Sequence, residues 1–131
     1  MFVDASAWTA IILSEPEADA FEARLLASSR VLTSALANWE TVRAVMKSRR
    51  RDQAEVRAVV ADYQRGVGAR IVEIGASEQE AALEAHACFG KGVHPAALNM
   101  GDCFAYACAK VHGAPLLYKG QDFALTDIEA A

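Results

Sequence analysis

Short apolar runs, separated by longer stretches of helical period, constrain this chain most. "FV" at 2–3, "RVLTS" at 30–34, "RIVEI" at 70–74 and "PLLY" at 115–118 are too short for helices and too apolar for loops. Between them, apolar residues recur every three or four positions. Strands that alternate with helices are joined by crossovers, and crossovers make neighbouring strands parallel. A parallel sheet needs cover on both faces. The expectation is an α/β fold with a short, mainly parallel central sheet. The 131 residues contain no repeat, linker or low-complexity segment, so residues 1–131 read as one domain.

The helical stretches can be bounded. "AWTAIIL" follows the first strand. "SEPEADAFEARLL" restarts helix, with Ser14 and Glu17 at capping-box spacing and Pro16 in the first turn. "ALANWETVRAVMKSR" carries an apolar stripe of Leu36, Trp39, Val42 and Met46. "DQAEVRAVVADYQ" opens on Asp52 and Glu55, presents Val56, Val59, Val60 and Tyr63 inward, and ends at Gly66 and Gly68. "SEQEAALEAHACF" opens with a second capping-box spacing, Ser77 and Glu80, and stops at Gly90. "GKGVHPAAL" is a loop. "GDCFAYACAKVHG" is apolar nearly all round, which predicts a central, buried helix. "KGQD" is a turn, and "FALTDI" is expected as a last short strand.

Composition narrows the function classes. Hydrophobic residues make up 53% of the chain, enough to fill a core. No apolar run approaches a membrane span. "MFVDAS" has no basic n-region and no cleavable apolar stretch, so no signal peptide is expected and a cytoplasmic location is the default. Cys88, Cys103 and Cys108 are odd in number and form no CxxC pair, against a disulfide framework or a zinc site. His86, His94 and His112 lack metal-ligand spacing. The net charge of −4 is not that of a general nucleic-acid binder. Locally, "RAVMKSRRR" carries five cations and no acid, as a solvated helix end or as a phosphate-tracking patch.

Against that background four acids stand out. Parallel sheets bind ligands beyond the carboxyl ends of their strands. Asp4 directly follows the first strand, and Glu40 lies in the second turn of the helix after "RVLT". Asp102 opens the apolar helix, and Asp122 follows "PLLY" by a short turn. Each also has a local explanation. Asp4 can cap the first helix, Asp102 sits at capping distance from Asn99, Glu40 can pair with Arg43, and Asp122 can be a turn residue. Capping fits Glu40 least well, because its neighbours one turn away are Ala37, Leu36 and Ala44. A partly covered carboxylate needs a partner.

Carboxylates that meet repel one another, and a hard divalent cation such as Mg²⁺ or Mn²⁺ relieves that repulsion. A carboxylate-held ion with open positions suits phosphodiester hydrolysis without a Ser, Cys or His nucleophile. Ser6 and Thr33, both at strand exits, can support such a site or cap helices. Two alternatives stay open. Asp4 can be a covalent nucleophile of an aspartate-dependent phosphatase, although the general acid expected two residues on is replaced by Ser6. The acids can also hold a metal or cap helices in a non-catalytic metal- or partner-binding module, with Trp8, Trp39 and the "AWTAIIL" stripe packing in the core or facing a partner.

"FVDAS", "NWETV", "HPAALNMGDCFAYACAK" and "LLYKGQDFALTDI" together resemble a PIN-domain protein, and within that family the VapC-type toxins of VapBC toxin–antitoxin systems. The resemblance implies a three-layer α/β/α sandwich and a Mg²⁺- or Mn²⁺-dependent endoribonuclease acting on RNA such as tRNA or rRNA. It also implies neutralisation by a cognate VapB-type antitoxin that blocks the acidic pocket, and a homodimer. By motif the family's acids fall on Asp4, Glu40 and Asp102. The fourth falls on Asp122, with Asp127 as the other candidate. Asn99 matches the family's polar residue before the third acid, and Lys119 with "KSRRR" would supply cationic contacts.

Overall fold

The computed structural model describes all residues, 1–131. Four short strands, β1 (Phe2–Val3), β2 (Leu32–Ser34), β3 (Arg70–Val72) and β4 (Leu116–Leu117), pair in the order β3-β2-β1-β4. Every pairing is parallel, with Phe2 opposite both Leu32 and Leu116 and Val3 opposite Leu117. Six helices connect and cover the strands: α1 (Ala5–Ile12), α2 (Ala18–Ala27), α3 (Ala35–Arg49), α4 (Gln53–Gly66), α5 (Ala76–Phe89) and α6 (Met100–Val111).

Alternation along the strands makes the layers. Phe2, Leu32 and Leu116 join Ala82, Ala85 and the inner face of α6 in one core. Val3, Val31 and Leu117 join Trp8, Ile11, Phe21 and Leu25 from α1 and α2 in another, on the opposite face. The strands are thus apolar on both sides, as a covered parallel sheet demands. Each such buried side chain contributes roughly 1.5–3 kcal/mol. A third cluster, Val45 with Val56 and Val60, fixes α3 to α4. The expected α/β/α sandwich is the observed one, and no helix is long and apolar enough to cross a membrane.

Several local expectations fail for physical reasons. Helix α2 starts at Ala18 rather than at a Ser14 cap, and Glu17 makes no side-chain cap. Proline at 16 disfavours helical backbone at Glu15, and Ser14 adopts a left-handed φ of 56°. On α3 the buried row is Ala37, Thr41 and Val45, so Leu36, Val42 and Met46 are only half-buried and Trp39 is 59% exposed. The small row lets α3 settle against α1, α4 and α6, and Thr41 satisfies its hydroxyl by donating to the Ala37 carbonyl at 2.8 Å. On α4, Val56, Val60 and Gln64 are buried while Val59 is exposed. Helix α5 begins before the expected Ser77 cap, with the Gly75 N–H donating to Glu78 Oε2 at 2.9 Å. "FALTDI" is no strand. Phe123–Leu125 form a 3₁₀ turn, because Phe123 packs under the Tyr118 ring, and only Ala130 bridges back to Leu116.

Candidate active site

Asp4 leaves β1 with its N–H donated to the Leu117 carbonyl at 2.9 Å, the last rung between β1 and β4. It then caps α1. Its Oδ2 accepts from the Ser6 N–H at 2.9 Å and from the Ser6 hydroxyl at 2.5 Å. The carboxylate is only 5% exposed. Ser34 ends β2 and caps α3 in the same residue, its Oγ accepting from the Ala37 N–H, so Glu40 rides on the second turn of a helix that leaves the sheet without a loop. Asp102 lies in the first turn of α6, in a reciprocal box with Asn99. The Asn99 N–H donates to Asp102 Oδ2 at 2.8 Å, and the Asp102 N–H donates to Asn99 Oδ1 at 3.1 Å. The capping explanation is therefore true of Asp4 and Asp102, and it engages the same oxygen, Oδ2, in both.

Capping does not separate these acids. Asp4, Glu40 and Asp102 line one open cleft of about 440 Å³, together with Ser6, Glu15 and Lys119. Burial, followed by repulsion from Asp4 and Asp102, pushes Glu40 up to about 7. Burial, with Asp4 and Asp122 adding, pushes Asp102 up to about 6 against the lowering effect of the Asn99 N–H. Asp4 is also raised, by burial, although the Ser6 hydroxyl and the backbone amides of Ser6 and Ala5 oppose the shift. Glu40 thus senses the charges of Asp4 and Asp102, and Asp102 senses that of Asp4.

Glu40 is the outlier among them. Nothing donates a hydrogen bond to it, and the alternative pairing with Arg43 is absent because Arg43 stacks over the Trp39 ring instead. Its carboxylate lies in a notch made by Gly101. A methyl at Gly101 would come within 2.7 Å of Glu40 Cδ and Oε2, and closer still to Oε1. Glycine in α6 is unfavourable relative to alanine, by up to about 1 kcal/mol, the helix-interior value. Directly beside Asp102, that glycine is the signal in the sequence that marks the notch. Glu15 was missed. Its position before Pro16 excludes it from a helix, and that was the available clue.

The remaining expected residues divide. The Ser6 hydroxyl donates to Asp4 and accepts the Lys119 N–H at 2.9 Å, which ties the loop after β4 to the first acid. Lys119 Nζ is held at the rim by Glu15 at 2.8 Å and Glu17 at 3.1 Å. Thr33 does not line the cleft. It accepts from Trp8 Nε1 at 3.1 Å and sits in a chain through Asn38 to Gln64. Trp8 is wholly buried, so of the two tryptophans only Trp39 faces solvent. Asp122 is exposed, precedes the 3₁₀ turn and lies outside the cleft lining, yet its charge reaches Asp102. Asp127 is spent elsewhere, accepting from Tyr106 at 2.5 Å and Lys110 at 2.9 Å.

As they lie, no three Asp, Glu, His or Cys side chains are grouped tightly enough to enclose a bare ion. The donors are nonetheless hard oxygens around a roomy cleft, and Glu40 has no partner of its own. That set fits a small divalent cation that keeps most of its waters, as Mg²⁺ does, and not a dehydrated cage.

Comparison with known proteins follows the same lines. The family model described as "PIN domain" matches residues 1–129. A ribonuclease VapC of Mycolicibacterium smegmatis is 38% identical over 130 residues, covering 99% of this chain and 98% of the relative. Ribonuclease VapC30 of Mycobacterium tuberculosis is 39% identical over 128 residues, covering 98% and 95%. A VapC ribonuclease of Rhizobium meliloti is 40% identical over 139 residues, covering 97% and 98%. The crystal structure of Mycobacterium tuberculosis VapC20, a toxin described as cleaving the sarcin-ricin loop, superimposes with a TM-score of 0.75. It is 19% identical, with 99% of this chain and 97% of that one covered, and so attests the fold.

Proposed function

The chain belongs to the PIN-domain family, among its VapC ribonucleases, and from that premise we infer that it is an endoribonuclease toxin working at the Asp4–Glu40–Asp102 cleft with Mg²⁺ or Mn²⁺. The observation that carries this is the shared cleft. Acids from three remote segments line it, Asp4 and Asp102 raise the proton affinity of Glu40, and Glu40 has no donor at all.

Asp4, Glu40 and Asp102 would hold the metal. When bound, it supplies a polarised water and positive charge beside the scissile phosphate. The chain does the rest. Asp4 is fixed by Ser6 and the β1–β4 ladder, so it cannot swing out of the cleft. Asp102 offers Oδ1 while its box with Asn99 holds Oδ2. Glu40, to which nothing donates a hydrogen bond, keeps its carboxylate free for the cation or its waters. Lys119 places a cation at the rim that can meet a phosphate once Glu15 and Glu17 yield it. Asp122 is the proposed fourth acid, acting at longer range on Asp102.

The substrate class is RNA, structured tRNA or rRNA in the first instance. The kinship with VapC proteins supports a VapB-type antitoxin that covers the acidic cleft and a homodimeric assembly. Exposed Leu83, Val93 and Met100 provide apolar surface for such contacts. Asp4→Asn and Asp102→Asn, each assayed on total cellular RNA with Mg²⁺ or Mn²⁺, should remove cleavage while the circular dichroism spectrum is kept. Failure of the purified, antitoxin-free chain to cut any RNA in either ion would overturn the proposal.

A further inference from the structure

Trp39, Arg43 and Lys47 occupy successive turns on one side of α3, and none of them is explained by the fold. Trp39 is 59% exposed, an unusual state for so large an apolar surface. Arg43 lies over its ring, 5.3 Å from the centroid. Neither Arg43 nor Lys47 meets a carboxylate. Arg43 stands in the middle of the helix, beyond the reach of the C-terminal dipole that would justify cations there. Beside Trp39 runs a groove of about 450 Å³, lined by Arg43, Ala44, Met46, Lys47 and Arg51. Ala44 lines both this groove and the acidic cleft, so the two adjoin. Glu40 is the neighbour of Trp39, and Lys47 follows Glu40 by about 10 Å along the helix axis.

Resting on the nuclease reading, we propose that this face of α3 is the track along which single-stranded RNA reaches the cleft. Phosphates lie in the groove against Arg43 and Lys47, and a base stacks on Trp39. The acids of the cleft and the net charge of −4 repel a polyanion, so a local cationic field has to bring it in. Stacking on an aromatic ring needs an unpaired base but no particular base, because every base presents a π-face. An arginine seated over one face of the ring adds charge to that platform. The polymer cut in the cleft has to leave it along some surface, and this groove adjoins it at Ala44.

The test is fluorescence anisotropy with a fluorescein-labelled single-stranded RNA oligonucleotide, in EDTA, with every protein carrying Asp4→Asn so that the probe stays whole. Arg43→Ala with Lys47→Ala should weaken binding and flatten the plot of log affinity against log salt by about 1.4, the share of two phosphate contacts on a single strand. Trp39→Ala should weaken binding about tenfold with the salt slope unchanged, and Trp39→Phe should restore most of the loss. All three positions are solvent-facing or half so, and thermal melts would confirm that the variants fold. Parental affinity and slope in these variants, while the unmodified chain still cuts RNA in Mg²⁺, would overturn the track alone. An unmodified chain that neither binds nor cuts RNA would overturn the track and the nuclease reading together.

Discussion

Replacing Gly101 with alanine tests whether Glu40 is held in place by the shape of α6. The new methyl would fall within 2.7 Å of Glu40 Cδ and Oε2, well inside contact distance, so the carboxylate has to move by about 1 Å or more. It can move, because it is the far end of a flexible side chain with no hydrogen bonds to break. Two terms then set the stability. Alanine in place of glycine gains at most about 1 kcal/mol, the helix-interior value, and an off-rotamer glutamate loses about 0.5–1.5 kcal/mol. The net is near zero, so the melting temperature should stay within about 3 °C of the parent. Activity should not be spared, since a displacement of about 1 Å at a catalytic group can reduce the rate about a hundredfold. Thermal melts and timed cleavage of a labelled RNA in saturating Mg²⁺ give both numbers. Full activity at an unchanged melting temperature would refute the claim that the notch positions a functional Glu40. A large loss of stability would refute the claim that Glu40 is free to yield.

Three other outcomes follow from the same geometry. Glu40 and Asp102 titrate at about 7 and 6 when folded, against 4.5 and 3.8 unfolded, so the folded chain binds more protons between about pH 4 and 7. Metal-free stability should therefore fall as pH rises through that window, by roughly 2–3 kcal/mol after allowance for partial exposure. Added Mg²⁺ should flatten the fall in pH-dependent melts. Ser6→Ala removes the hydroxyl that joins Asp4 to the Lys119 amide, and it should reduce stability by about 1–2 kcal/mol in urea titrations and lower cleavage as well. Asp127→Asn should lower stability by about 1 kcal/mol through its lost charge to Lys110 and leave cleavage intact, whereas Asp122→Asn should do the reverse.

Local pattern made much of this molecule readable. "FV", "LL" and "LTS" sit between helical stretches, and such short apolar runs are stable only when covered on both faces, so the parallel sheet and its layers follow. Asp4 and Asp102 were readable because the positions that end a strand or open a helix are fixed by sequence neighbours, and the acids stand at them. Where a helix turns its face was not readable. Trp39 and Val59 fit the apolar period, but α3 and α4 approach their neighbours through the smaller Ala37, Thr41, Val56 and Val60, and that choice depends on volumes contributed by other segments.

What the chain alone determined is which carboxylates stand at the ends of elements. What only the tertiary structure decided is their company. The notch that receives Glu40 belongs to α6, the lysine at the rim comes from the loop after β4, and Asp127 is withdrawn by Tyr106 and Lys110. Repulsion among charges depends on distance in space, and residues as far apart in sequence as 4, 40 and 102 acquire that distance only when the sheet and helices close around one cleft.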